Sequence, residues 1–177
     1  MSLKEFFSLR TVAFLITMII GLWSCIQWQQ TSYYAGEHFP VGSDSYYHAS
    51  RVLDMLETGK LPQFDKAIHA PEGSMVTWPW GYDTLLANYT IAVSFLTAGA
   101  YPITSIIAYF PLLLFFISIL IVHKILSKLS VSILNQSLGL LFYAISHLTQ
   151  GLYGVGRIDH HGAEQIVFLL VALCGLH

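Results

Sequence analysis

The sequence predicts an all-α, polytopic membrane protein with one large loop on the outer side of the bilayer. Of its 177 residues, 55% are apolar or aromatic and only 10% are charged, against about 25% charged in an ordinary soluble domain. The mean hydropathy is +0.61. Four runs, residues 11–28, 101–122, 131–148 and 163–177, are almost free of charge and approach the ~20 apolar residues that cross a hydrocarbon core about 30 Å thick. The net charge of −2 sets up no field that recruits a polyanion, which excludes a nucleic-acid partner. Cys25 and Cys174 both sit inside apolar runs, so they suggest neither a disulfide framework nor a metal-binding pair.

The first run follows Lys4 and Arg10. A cleaved signal peptide has a similar layout, but its apolar region spans roughly 7–15 residues and ends in small residues. The longer run here, with bulky Trp23 near its end, reads as an uncleaved anchor. Lys4 and Arg10 place the N-terminus in the cytoplasm by the positive-inside rule, and Lys124 and Lys128, in the turn after 101–122, belong on the same side. Those two assignments require an even number of crossings between them. Spans 11–28 and 101–122 supply two, so the weaker apolar stretch 84–100, which carries Asn88, Thr90 and Ser94, is expected to lie at the outer surface. Trp78-Pro79-Trp80 then reads as an interfacial aromatic anchor. Residues 29–100 and 150–164 face outward. Nine of the ten acidic residues fall there, seven in the first loop and Asp159 and Glu164 in the second, leaving only Glu5 inside.

In the first outer loop, residues 44–57 form an amphipathic helix. Ala49, Val52, Leu53 and Leu56 share one side at helical spacing, and Asp44, His48 and Arg51 share another. Pro40 and Gly42 precede the helix, and Gly59 is placed to cap its C-terminus. Asp44 either caps the first turn, as aspartate often does, or is free for chemistry. The second outer loop holds Arg157-Ile158-Asp159-His160-His161 and, shortly after, Glu164. Asp159 is either a helix cap or a ligand. With extended backbone, Asp159 and His161 point to a common side, with His160 turned away or bracing the loop. Carboxylate and imidazole donors together suit manganese and, less well, magnesium.

Ser43-Asp44-Ser45-Tyr46-Tyr47, the helix carrying Arg51, and Asp159-His160-His161 after the third span resemble the catalytic subunit of oligosaccharyltransferase. The single-subunit bacterial PglB-type and archaeal AglB-type enzymes are the nearest comparison. Their first outer loop gives one essential aspartate and their second an Asp-x-Asp or, in some archaeal members, an Asp-x-His. The resemblance implies the N-terminal part of a membrane glycosyltransferase of the C-type (GT-C) fold. Such an enzyme moves an oligosaccharide from a polyprenyl-(pyro)phosphate carrier to asparagine of an acceptor polypeptide bearing Asn-x-Ser/Thr. It also implies Asp44 and Asp159 as catalytic residues, and Asp44, Asp159 and His161 as ligands of Mn2+ or Mg2+. Arg157, Arg51 and Glu164 are candidate substrate contacts.

The family also supplies an acidic residue from a later loop and a tryptophan-rich acceptor motif, neither of which has a match within these 177 residues. The chain is therefore expected to be one part of a larger enzyme and inactive alone. Two other functions fit the same sequence. One is a C-type glycosyltransferase acting on a lipid or hydroxyl acceptor. The other is a non-enzymatic transporter fragment, whose ionisable residues should instead sit at mid-membrane on broken helices.

Overall fold

The computed structural model describes residues 8–61, 63–66, 68–76 and 80–176. The expectations resting on Lys4, Glu5 and the Trp78-Pro79 part of the aromatic anchor lie outside the described residues. Helix α1 (Leu9–Gln27) starts at Ser8, whose hydroxyl accepts from the Thr11 amide. A short helix α2 (Gln29–Ser32) follows, then a hairpin of β1 (Tyr33–Tyr34) and β2 (Glu37–His38), antiparallel with Tyr33 opposite His38. The loop helix is α3 (Ser43–Thr58), ended by Gly59 in the left-handed region with its amide on the Met55 carbonyl. A second small hairpin pairs β3 (Phe64–Asp65) with β4 (Ser74–Met75). Then come α4 (Trp80–Leu96), α5 (Ile103–Lys128), α6 (Ile133–Ile145), α7 (His147–Tyr153) and α8 (His161–Gly175).

Two stretches, Leu9–Ser32 and Ile103–Lys128, are long and apolar enough to cross a membrane. Several element bounds differ from the sequence expectation. Helix α5 continues through Lys124 and Lys128, so these lysines stand in its last turns rather than in a turn beyond it. Lysine is a good helix former, and its charge suits the negative end of the helix dipole. The run 131–148 breaks at Ser146, whose extended backbone and hydroxyl cap start α7. This leaves α6 at 13 residues, about 20 Å at 1.5 Å per residue. Helix α8 begins at His161 and has 15 residues. Helix α4 begins four residues before the expected stretch, which draws Asp83 into its first turn.

Helix α5 is the centre of the packing, with buried residues from Ile106 to Ile121. Helices α1 and α6 pack on it where side chains are small: a Cβ on Gly21 would meet the Phe115 ring at 2.4 Å and the Ala144 methyl at 3.0 Å. Such close approach is how helices pack when lipid offers no hydrophobic drive of its own. Helix α4 also packs on α5, its Tyr82 edge-on and its Tyr89 tilted against Phe110 at 5.9 and 4.9 Å between centroids. The first hairpin is tied to α5 by His38 Nδ1 and Ser105 Oγ at 3.0 Å, and α2 by Tyr109, which donates to Gln29 at 2.8 Å.

Helix α3 buries a face shifted from the expected one. Ser45, His48, Ala49, Arg51 and Val52 are buried, while Leu53 remains exposed. The polar face goes inward because it meets a carboxylate on α4.

Candidate functional site

The loops that carry Asp44 and Asp159 meet because their backbones are joined at one glycine. The Val41 amide donates to the Gly156 carbonyl at 2.8 Å, and the Gly156 amide donates to the Ala108 carbonyl at 2.9 Å. Gly156 has φ +85°, and a Cβ there would stand 2.7 Å from Ser32 Cβ and 3.1 Å from the Phe39 carbonyl. Only glycine fits that crossing.

Beside it opens a hollow of about 220 Å³, lined by Gly42, Ser43, Asp44, Arg157 and Asp159 among others. Asp44 stands in the first turn of α3 without capping it: the N-cap is Gly42, and no side chain caps that end. Its Oδ1 accepts from the Ser43 hydroxyl at 3.2 Å. Asp159 Oδ1 accepts from the His161 amide at 3.3 Å, a local cap-like contact. Donor atoms of Asp44, Asp159 and His161 all lie within 4.8 Å of one another. The residue between them is not extended, since His160 has φ −65° and ψ −20°. Asp159 and His161 therefore come together through the turn that starts α8, not through strand-like alternation.

His161 is half exposed, and its Nδ1 stands 2.8 Å from Glu164 Oε2. That hydrogen bond raises the pKa of the ring above the ordinary histidine value, so an ion taking this ligand must displace a more firmly held proton. A proton shared between Nδ1 and Glu164 leaves Nε2 as the nitrogen with a lone pair, the arrangement common to metal-binding histidines. Glu164 itself is tied to His161 rather than set on the wall of the hollow. Arg157 does line the hollow, with its guanidinium over the Trp28 ring at 4.7 Å.

Arg51 and His160 are placed differently from the expectation. Arg51 is 1% exposed, and its NH2 lies 2.8 Å from Asp83 Oδ2, itself 0% exposed. The guanidinium also covers the Tyr47 ring at 5.2 Å. Arg51 is thus a buried counter-ion and not part of the hollow, because a charge inside the protein must be paired. His160 turns inward: its Nδ1 is 3.0 Å from His48 Nε2 and 3.0 Å from Asp159 Oδ1. His48, fully buried, sets its Nδ1 2.5 Å from Asp83 Oδ1.

Two overlapping groups, His48–Asp159–His160 and His160–His161–Glu164, have similar spacing. In the first, both nitrogens of His48 are engaged; in the second, His161 and Glu164 bond to each other. Among the described residues, Asp44–Asp159–His161 is the set with two members, Asp44 and Asp159, on the wall of an open hollow, His161 standing within reach of both. A larger hollow of about 390 Å³ beside His38, Tyr101 and Tyr109 is mostly apolar and has no carboxylate in its wall.

Over 135 residues, the chain is 28% identical to Dolichyl-phosphooligosaccharide-protein glycotransferase 1 of Archaeoglobus fulgidus, a match covering 75% of this chain and 22% of that protein. The chain resembles the archaeal glycotransferases. It is also 26% identical over 162 residues to Dolichyl-phosphooligosaccharide-protein glycotransferase 2 of the same organism, covering 89% of this chain and 26% of the relative. The resemblance read from Asp44 and the Asp159–His161 segment is thus met along most of the chain. No protein-family model matches. The chain spans about a quarter of the length of these glycotransferases.

The sequence reading missed three supports of the site. Asp83 counted only as one outer carboxylate, although an acid in the first turn of an apolar helix needs a partner when buried, and Arg51 with His48 at i, i+3 offered one. Trp28 was assigned to the end of a span, and Gly156 carried no assigned role. A backbone crossing of distant segments leaves no local periodicity to read.

Proposed function

We propose that the chain forms part of a membrane glycosyltransferase of the C-type fold, transferring an oligosaccharide from a polyprenyl-(pyro)phosphate carrier to asparagine in an Asn-x-Ser/Thr acceptor. The observation that carries this reading is the convergence of Asp44 from one loop with Asp159 and His161 from the other, beside Arg157. Resemblance to two glycotransferases supports the reaction class.

The donor set fits a divalent ion. Two carboxylates and one imidazole within 4.8 Å of one another present mostly oxygen ligands, with space in the hollow for others, a chemistry suited to Mn2+ or Mg2+. When bound, such an ion offsets negative charge building on a phosphate leaving group. The remaining work falls to side chains. A carboxamide nitrogen is a poor nucleophile because its lone pair is delocalised into the carbonyl. Asp44, with one oxygen on Ser43 and the hollow in front of it, can accept from the acceptor amide N–H and draw that lone pair back to nitrogen. The guanidinium of Arg157, held over the Trp28 ring, meets phosphate oxygens as the bond to the sugar breaks. Glu164 fixes the ring of His161.

In this reading the N-terminus is cytoplasmic and both loops face outward. Reporter fusions after residues 70 and 156 are expected to report the outer side, and a fusion after residue 127 the cytoplasm. A cytoplasmic signal at residue 156 would separate the two loops across the bilayer and end the shared-site reading. For the reaction itself, the test is transfer of a labelled oligosaccharide from lipid carrier to an acceptor peptide by membranes containing an enzyme that includes this chain. Transfer to a lipid or to a serine hydroxyl instead would assign it to another glycosyltransferase class.

A further inference from the structure

A line of polar contacts runs from a fully buried ion pair through two histidines to the edge of the hollow. Arg51 NH2 lies 2.8 Å from Asp83 Oδ2. Asp83 Oδ1 lies 2.5 Å from His48 Nδ1, His48 Nε2 lies 3.0 Å from His160 Nδ1, and Asp159 Oδ1 lies 3.0 Å from that same Nδ1. His48 and Asp83 are both 0% exposed, so water cannot substitute for either partner.

The donors in this chain can be arranged in one consistent way. Asp159 is an acceptor only, so His160 Nδ1, close to its oxygen, must carry a proton. The nitrogen facing it across 3.0 Å, His48 Nε2, must then present a lone pair. The proton of His48 is accordingly on Nδ1, where Asp83 Oδ1 accepts it. Arg51 balances the charge of the Asp83 carboxylate from the other side. At the far end, Asp159 Oδ1 accepts from the His161 amide and stands 3.0 Å from His160 Nδ1, which leaves Oδ2 for the hollow.

We infer that His48 and Asp83 are positioning residues for the site: through His160, held with its proton on Nδ1, they fix which oxygen Asp159 turns to the hollow. This rests on the proposed role of Asp159 as a metal ligand. It gives the Arg51–Asp83–His48 cluster a task beyond packing, since a buried pair that served only stability would be replaceable by apolar side chains. Supporting partners of this kind typically change metal affinity about 10- to 100-fold when removed.

The test combines two readouts on the 177-residue chain in detergent micelles. Nitrogen NMR of 15N-histidine-labelled protein, with His48 and His160 assigned by single substitution, should find both rings protonated at Nδ1. His160 protonated at Nε2 with Nδ1 bare would overturn the inference, with no variant needed. In Mn2+ titrations, His48→Leu should weaken binding about 10- to 100-fold. His48→Gln should restore most of it, because its amide donates to Asp83 and accepts from His160. A folded His48→Leu protein that binds Mn2+ like wild type would overturn the inference; if that variant does not fold, the wild-type tautomers decide. Wild-type protein with both tautomers as assigned but no Mn2+ affinity would overturn the metal reading while supporting the chain.

Discussion

In an enzyme that includes this chain, alanine at Asp44 or at Asp159 is expected to abolish transfer from the lipid carrier while leaving the protein in the membrane at its normal level. Each carboxylate contributes charge to the same hollow, and each comes from a different loop. Loss of one preorganised electrostatic group typically lowers turnover about 10²- to 10³-fold, and here each alanine would also remove a ligand. Because the two act on one centre, the double variant should be little worse than either single one. Asp44→Asn and Asp159→Asn keep the shape and lose the charge, so they should fail nearly as badly. The assay is transfer to an acceptor peptide, read beside an immunoblot of membrane fractions. Full transfer by either alanine variant would remove that residue from the reaction.

Removing Asp83 has the largest expected effect on stability. Asp83→Leu leaves Arg51 and His48 inside the protein with no carboxylate, and breaking a buried ion pair from one side costs about 3–5 kcal/mol. The variant should unfold at markedly lower temperature or denaturant concentration, followed by loss of helical circular dichroism in detergent. Replacing both partners behaves differently. Arg51→Met combined with Asp83→Leu removes the uncompensated charge and should recover a substantial part of that loss. If Asp83→Leu is as stable as wild type, the ion pair contributes nothing to the packing of α3 on α4.

Much of this architecture is written in local patterns. The helix at Ser43–Thr58 follows from its spacing and from Gly59, and Leu9–Gln27 and Ile103–Lys128 follow from unbroken apolar runs. The position of Asp44 and Asp159 near each other followed from sidedness, itself read from four basic residues. Other features depend on tertiary contacts that local sequence does not encode. Ser146 divides a run of apolar residues because its hydroxyl caps the next helix, a choice invisible to hydropathy. The buried face of α3 includes His48 and Arg51 only because Asp83, more than thirty residues later, stands opposite them. Asp159 and His161 were read as neighbours for the wrong backbone reason: a helical turn, not extension, unites them. Arg51 looked like a substrate contact for the same reason that it proved structural, since a charge on an amphipathic helix can face either a ligand or a buried partner.

The central claim is that Asp44, Asp159 and His161 hold one divalent ion between the two outer loops. Electron paramagnetic resonance of Mn2+ added to 15N-histidine-labelled protein tests it directly. A single bound Mn2+ with spin-echo modulation from one histidine nitrogen, a coupling that disappears in His161→Ala, and binding that is lost in Asp44→Asn and Asp159→Asn, is the predicted result. Mn2+ that binds equally well in all three variants, or shows no histidine nitrogen in the wild type, would contradict it.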